Sequence, residues 1–387
     1  MLGKTVLVHT NDRATARWMV GCLRGSGSDV VQPKTTWQAL ELISACAVDV
    51  VLIDLDASTN PAMLIDACRD VPCVVLADTS EPETLRRLVC HHGIAHVIHA
   101  GDDRGAADAQ RITLTVEKLL RADVFGLDKH LHGFGADIST LQITDASVRD
   151  EVVSNIAEYA KWLGCGRSLR QRISDVADEL ITNAVYNAPR DEHGSPRYAA
   201  TDRRDKIALD PWEYVQVRFA SDGRVFALSV TDWFGGLSVS KIRQVFQRCI
   251  SDADPIEQKD GGAGLGLYTA FSAANQLIIN VEQAERTEII AVFELGARMR
   301  GDKTSGHSLQ LFTDESIELA KGSSDCIPSV MVSESMQVDL REAFAAAQPA
   351  PFIPLTRAQI KQPAQDDDWD EPTVTVESSP ETTSATA

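Results

Sequence analysis

Gly261-Gly262-Ala263-Gly264-Leu265-Gly266-Leu267 is the stretch on which the fold of this chain turns. Glycines at this density remove side chains where a backbone must approach phosphate oxygens and offer them its amides. A helix beginning near Leu267 would add the positive end of its dipole. Alone, such a run is weak evidence. A dinucleotide fingerprint needs a strand immediately before the glycines, and Asp252–Asp260 is polar and charged; a P-loop needs Lys-Ser/Thr after them, and none follows.

Upstream, Asp178-Glu179-Leu180-Ile181-Thr182-Asn183-Ala184-Val185-Tyr186-Asn187 belongs to a helix expected over Arg172–Ala188, ended by Pro189. The i, i+4, i+8 spacing sets Glu179, Asn183 and Asn187 on one face, while Ile173, Val176, Leu180, Ala184 and Val185 supply an apolar stripe. In isolation that row also fits the solvent side of an amphipathic helix. Tyr214–Ala220 and Val225–Thr231 flank Asp222-Gly223 as a hairpin. Directly after them, Asp232-Trp233-Phe234-Gly235-Gly236 puts a carboxylate at a strand end beside two glycines. With Leu277–Glu282 and Glu288–Leu295 as further strands, the region from about Val124 onward is expected to be α+β.

In this order the three features resemble the ATP-binding domain shared by histidine kinases, anti-sigma serine kinases, gyrase and the heat-shock chaperone, an α/β sandwich. The resemblance covers roughly residues 150–296. It implies ATP and Mg²⁺ as ligands. Glu179 would be the general base or water-positioning residue and Asn183 the Mg²⁺ ligand, with Asn187 where relatives carry His or Asn. Asp232 would accept the adenine amine with help from Thr287, and Gly262, Gly264 and Gly266 would form the lid over the phosphates. The family's first glycine box reads Asp-x-Gly-x-Gly; here Phe234 holds the first glycine place, and Gly235 and Gly236 stand beside it. The short spacing between helix and first glycine box is nearer the anti-sigma and histidine kinase branch than gyrase.

Before this region, Thr5–His9, Asp49–Asp54, Cys73–Leu76 and His96–His99 alternate with segments of helical period, the pattern of a doubly wound parallel sheet. Residues 1–122 resemble a response-regulator receiver with Asp54 at the phosphoacceptor position. The acidic pair falls at Thr10 and Asn11, the switch hydroxyl at Ala77 and the lysine at Ala100. Asp12 could supply one oxygen, but a hard cation needs more oxygen charge around it. A pseudo-receiver is therefore expected. His130 and His132 lie in a glycine-bearing segment without the acceptor pattern of a histidine kinase, so loop residues are expected there.

The totals set bounds. A chain of 387 residues accommodates two domains and a tail, and its net charge of −19 disfavours nucleic acid and anionic membrane surfaces as partners. Its start lacks a signal-peptide core, which implies a cytoplasmic location. Eight scattered cysteines form no Cys-x-x-Cys pair and are expected to be reduced. Beyond about residue 300, Ser, Thr, Pro and acid replace periodic apolar residues, so a largely disordered acidic tail is expected, with a short helix at Val338–Ala347 as a minor alternative. The expected function is Mg-ATP binding in signalling, with phosphoryl transfer to Ser/Thr of an unidentified partner protein. A non-catalytic nucleotide-gated adaptor and an atypical histidine kinase stay open, as does a homodimer.

Overall fold

The computed structural model describes residues 4–91, 93–100, 106–132, 136–191, 193–201, 207–251, 265–295 and 306–314. Five parallel strands, β1 (Thr5–His9), β2 (Asp29–Val31), β3 (Val50–Asp54), β4 (Cys73–Ala77) and β5 (His96–His99), alternate with α1 (Arg13–Gly25), α2 (Thr36–Ser44), α3 (Pro61–Ala67), α4 (Pro82–Cys90) and α5 (Ala106–Arg121). Every residue of β3 and β4 is buried. Helices cover both faces, so these strands are runs of apolar residues rather than alternations. Asp12 starts α1 by accepting from the Ala14 and Thr15 amides, and Thr35 starts α2 by accepting from the Gln38 amide.

The chain continues through β6 (Ser139–Ile143), α6 (Arg149–Trp162), α7 (Arg167–Thr182), β7 (Val215–Ser221), β8 (Val225–Asp232), α8 (Val239–Ser251), α9 (Leu265–Ala273), β9 (Gln276–Glu282), β10 (Arg286–Glu294) and β11 (Ser308–Phe312). The order across the sheet is β2-β1-β3-β4-β5-β11-β9-β10-β8-β7-β6. From β9 to β6 the neighbours are antiparallel. The Asp222-Gly223 reversal forms as expected: Gly223 has φ +83°, and Asp222 Oδ1 accepts from the Arg224 and Val225 amides. Among the described residues no helix is long and apolar enough to cross a membrane.

β11 lies in the stretch assigned to the tail from its composition. It pairs parallel with β9 and antiparallel with β5, and so joins all eleven strands into one sheet. Its pattern Ser-Leu-Gln-Leu-Phe escapes notice because the polar positions are buried too: Ser308 Oγ accepts from the His99 amide at 3.0 Å, and Gln310 is 2 % exposed. Beyond residue 314 the tail, including Val338–Ala347, lies outside the described residues.

Two apolar cores, one on each face, cross the joint between β5 and β9. A buried polar network sits there as well. Lys118 Nζ of α5 donates to Asn280 Oδ1 at 3.2 Å and stands 4.1 Å from the centre of the Phe312 ring; Glu288 accepts from Asn280 Nδ2 and the Gly126 amide. Burial drives the Lys118 ammonium down to about 7.

The helix expected over Arg172–Ala188 begins earlier and ends differently. α7 starts at Arg167 after Gly166 and gives way to a π-helical turn at Asn183–Asn187, where the Ala188 amide donates to the Asn183 carbonyl at 3.0 Å. Apolar periodicity carries no signal for that one-residue widening, a feature frequent at functional sites.

Candidate functional site

α7 and its π turn form one wall of a cleft of about 780 Å³, its open mouth included. β8 and β10 make the floor, α8 the opposite wall, and the first turn of α9 closes one end. The polar row is assembled as the spacing requires. Asn183 Nδ2 donates to Glu179 Oε1 at 2.9 Å, and Asn187 Nδ2 donates to Asn183 Oδ1 at 2.8 Å. Each carboxamide is therefore oriented by the next residue along the row, with the Glu179 carboxylate as the final acceptor.

Asp232 ends β8 on the floor, in register with Thr287 of β10. Its Oδ1 accepts from the Phe234 amide at 3.0 Å. Burial drives the Asp232 carboxyl up to about 7; the amides of Phe234 and Gly235, the Arg190 guanidinium and Thr287 pull the other way. Thr287 Oγ1 is buried and has no hydrogen-bond partner among the described residues. A carboxyl and a hydroxyl thus meet on an otherwise apolar floor that includes Val230 and Ile289.

The glycines have distinct tasks. Gly235 has φ +55°, and a Cβ there would fall on the Glu282 carbonyl oxygen, so the backbone reversal is made at Gly235 and Phe234 needs no glycine in its place. At Gly236 a Cβ would lie 2.9 Å from Arg190 Nη2. At Gly266 it would occupy the space of the Glu179 carboxylate, which brings the start of α9 against the catalytic candidate. Gly262 and Gly264 lie outside the described residues. Two cations that the sequence reading did not single out, Arg190 and Lys241, line the same cleft. Arg190 follows the polar row directly after Pro189, a positional signal; Lys241 on α8 carried none.

At the carboxyl ends of β1 and β3, Asp54 is fully buried and its Oδ2 accepts from Thr10 Oγ1 at 3.1 Å. Asn11 Nδ2 donates to Thr59 Oγ1, and Asp12 is engaged as the α1 cap. Ala77 and Ala100 are buried apolar positions. A hydroxyl does stand two residues past Ala77: Thr79 Oγ1 is 3.1 Å from His99 Nδ1 and donates to the His307 carbonyl at 2.9 Å. It is committed to holding the segment leading into β11. Neither His130 nor His132 lines the cleft. His130 is buried 3.5 Å from Lys118 Nζ, and the His132 amide donates to Asp222 Oδ2. Among the described residues no group of three or more His, Cys, Asp or Glu is placed to hold a metal ion.

No family model and no curated protein matches the chain. Among solved structures, a chain of the SiaB–SiaC complex from Pseudomonas aeruginosa is similar at 17 % identity and a TM-score of 0.27, covering 40 % of this chain and 88 % of that one. A de novo designed Rossmann 2x3 fold protein is similar at 13 % identity and a TM-score of 0.24, covering 32 % and 92 %. Both scores are too low to show a common fold.

Proposed function

We propose that the cleft binds Mg-ATP and that the protein is a signalling enzyme that transfers the terminal phosphoryl group to a Ser/Thr hydroxyl of a partner protein, in the manner of anti-sigma serine kinases. The observation that carries this is the convergence of Asn183, Asn187, Asp232, Gly236 and Thr287 on one cleft from separate elements, with Glu179 hydrogen-bonded to Asn183 and packed against Gly266 just outside its lining. A purine fits the apolar floor, with its amine toward Asp232 and Thr287. Lys241 of α8, lining the same cleft, offsets phosphate charge, while Arg190 stands beside Asp232 and Gly236. Asn183 Oδ1 accepts one hydrogen bond from Asn187 and keeps a second lone pair for a hard cation. Bound Mg²⁺ would neutralise charge on the phosphates. Glu179, held by Asn183 against the start of α9, is then the residue that orients or deprotonates the attacking hydroxyl.

A nucleotide-gated adaptor is the second reading, and α8 favours it. One face of α8 lines the cleft through Lys241, Ile242 and Val245. Phe246 packs on α9, and other residues of α8 reach the five-stranded half, where Arg243 Nη2 donates to the Ile94 carbonyl and Gln247 Nε2 to the Cys90 carbonyl. Nucleotide binding has a direct route to that half, which we take to be a pseudo-receiver that does not itself accept phosphate.

Titration calorimetry on Asn183→Ala and Glu179→Ala separates the roles. Asn183→Ala should abolish Mg-dependent affinity. Glu179→Ala should bind normally while hydrolysis or transfer falls by about 10²–10⁴. Tight Mg-ATP binding by Asn183→Ala would remove this row as the metal element; normal binding by both wild type and Glu179→Ala with no turnover in either would leave the adaptor.

A further inference from the structure

A second cavity, about 1210 Å³ with its mouth included, lies between α3, the start of β4 and α8. Two thiols line it. Cys68 closes the carboxyl end of α3, Cys73 opens β4, and only Arg69-Asp70-Val71-Pro72 separates them. Both are reduced and buried, and Cys68 together with burial pushes the Cys73 thiol well up. Their route to solvent is the cavity. Arg69 and Arg243 stand on its wall against the single carboxylate of Asp66, and Ile65, Val71 and Pro72 give it an apolar side.

We propose that this cavity is a thiol–disulfide exchange site that accepts an anionic low-molecular-weight disulfide and leaves Cys68 and Cys73 joined to each other. Two guanidinium groups facing one carboxylate favour an anionic reagent. Cys73 lies in β4, which is buried along its whole length, whereas Cys68 sits at the end of α3 between half-buried Ala67 and exposed Arg69, so Cys68 makes the first attack. The Cys68 thiolate bonds to one sulfur of the reagent, whose S–S bond breaks, and the departing thiolate takes up a proton. Cys73 then gives up its proton and attacks Cys68 Sγ, which releases the second half of the reagent as a thiol. The protein loses two electrons and two protons, and the small disulfide is reduced to two thiols.

The test uses the full chain with oxidised glutathione, neutral hydroxyethyl disulfide or cationic cystamine at equal concentration, followed by intact mass and peptide mapping. The expected product is a Cys68–Cys73 crosslink, two hydrogens lighter than the reduced protein. It should form roughly tenfold faster with oxidised glutathione than with cystamine, a preference that Arg69→Gln weakens. In Cys73→Ser a mixed disulfide should accumulate on Cys68; in Cys68→Ser little should form on Cys73. Half-buried Cys22, Cys46, Cys90, Cys165 and Cys249 serve as internal comparators. Glutathione adducts on those residues with Cys68 and Cys73 still reduced would overturn the proposal without recourse to any variant. A crosslink formed equally fast by all three reagents would overturn the anionic preference.

Discussion

Asp232 offers the sharpest test of the cleft, because its proposed task requires a carboxylate and its surroundings hold it near half ionisation at neutral pH. With a folded value of about 7, the ionised fraction changes about tenfold between pH 6 and pH 8. If the purine amine is received by the ionised form, affinity should fall about tenfold as pH drops over that range. Adenosine is the ligand of choice, since it carries no phosphate to titrate in the same window. Calorimetry at pH 6, 7 and 8 gives the slope, and Asp232→Asn supplies the control: weaker binding than wild type at pH 8 and no slope. The protein without ligand should respond in the opposite sense. The carboxyl is raised from 3.8 when unfolded to about 7 when folded, so the native state binds the extra proton. Stability from this group is then full below about 4 and lost as pH rises through about 7. Adenosine affinity that is flat from pH 6 to pH 8, or equally sloped in Asp232→Asn, would refute the assignment.

Gly266→Ala should separate chemistry from folding. The new methyl displaces the Glu179 carboxylate, while about 0.5–1 kcal/mol gained in helix preference offsets about 0.5–1.5 kcal/mol from the lost Asn183 hydrogen bond. Urea midpoints should stay close to wild type, with turnover reduced roughly 10²–10⁴-fold; unchanged turnover would exclude Glu179 as the base. Gly235→Ala should act on the fold instead. Its left-handed backbone alone costs about 1–2 kcal/mol, and the methyl meets the Glu282 carbonyl, so a drop in the urea midpoint at constant slope is expected.

Much of this was legible from pattern. β1 and β5 run over the residues expected, because apolar β-branched runs bounded by polar residues have few other solutions. The i, i+4, i+8 row needed only helical geometry to bring Glu179, Asn183 and Asn187 together. Other features lay beyond periodicity. β2 is a three-residue edge strand, and β11 hides its burial behind Ser308 and Gln310, whose partners are supplied by distant chain. The π turn at Asn183–Asn187 depends on which carbonyl each amide reaches, which side-chain pattern does not encode. Arg190 and Lys241 enter the cleft through the placement of Pro189 and α8, a tertiary result. The Cys68–Cys73 contact likewise requires the α3–β4 turn to be seen, since a spacing of five is not a recognised thiol motif.

The central place of β11 has a kinetic side. When the chain is made from its amino end, β5 and β9 exist before their shared neighbour does, and each presents an unpaired edge with its backbone donors and acceptors exposed. Closing the sheet brings Gln310 beside His96, a pairing across more than half of the chain. Loop closure over such a distance is slow and rewarded late. Until residues 308–312 insert, each half is a template for a strand from another molecule, so the segment that unites the fold also decides how long the nascent protein is exposed to aggregation.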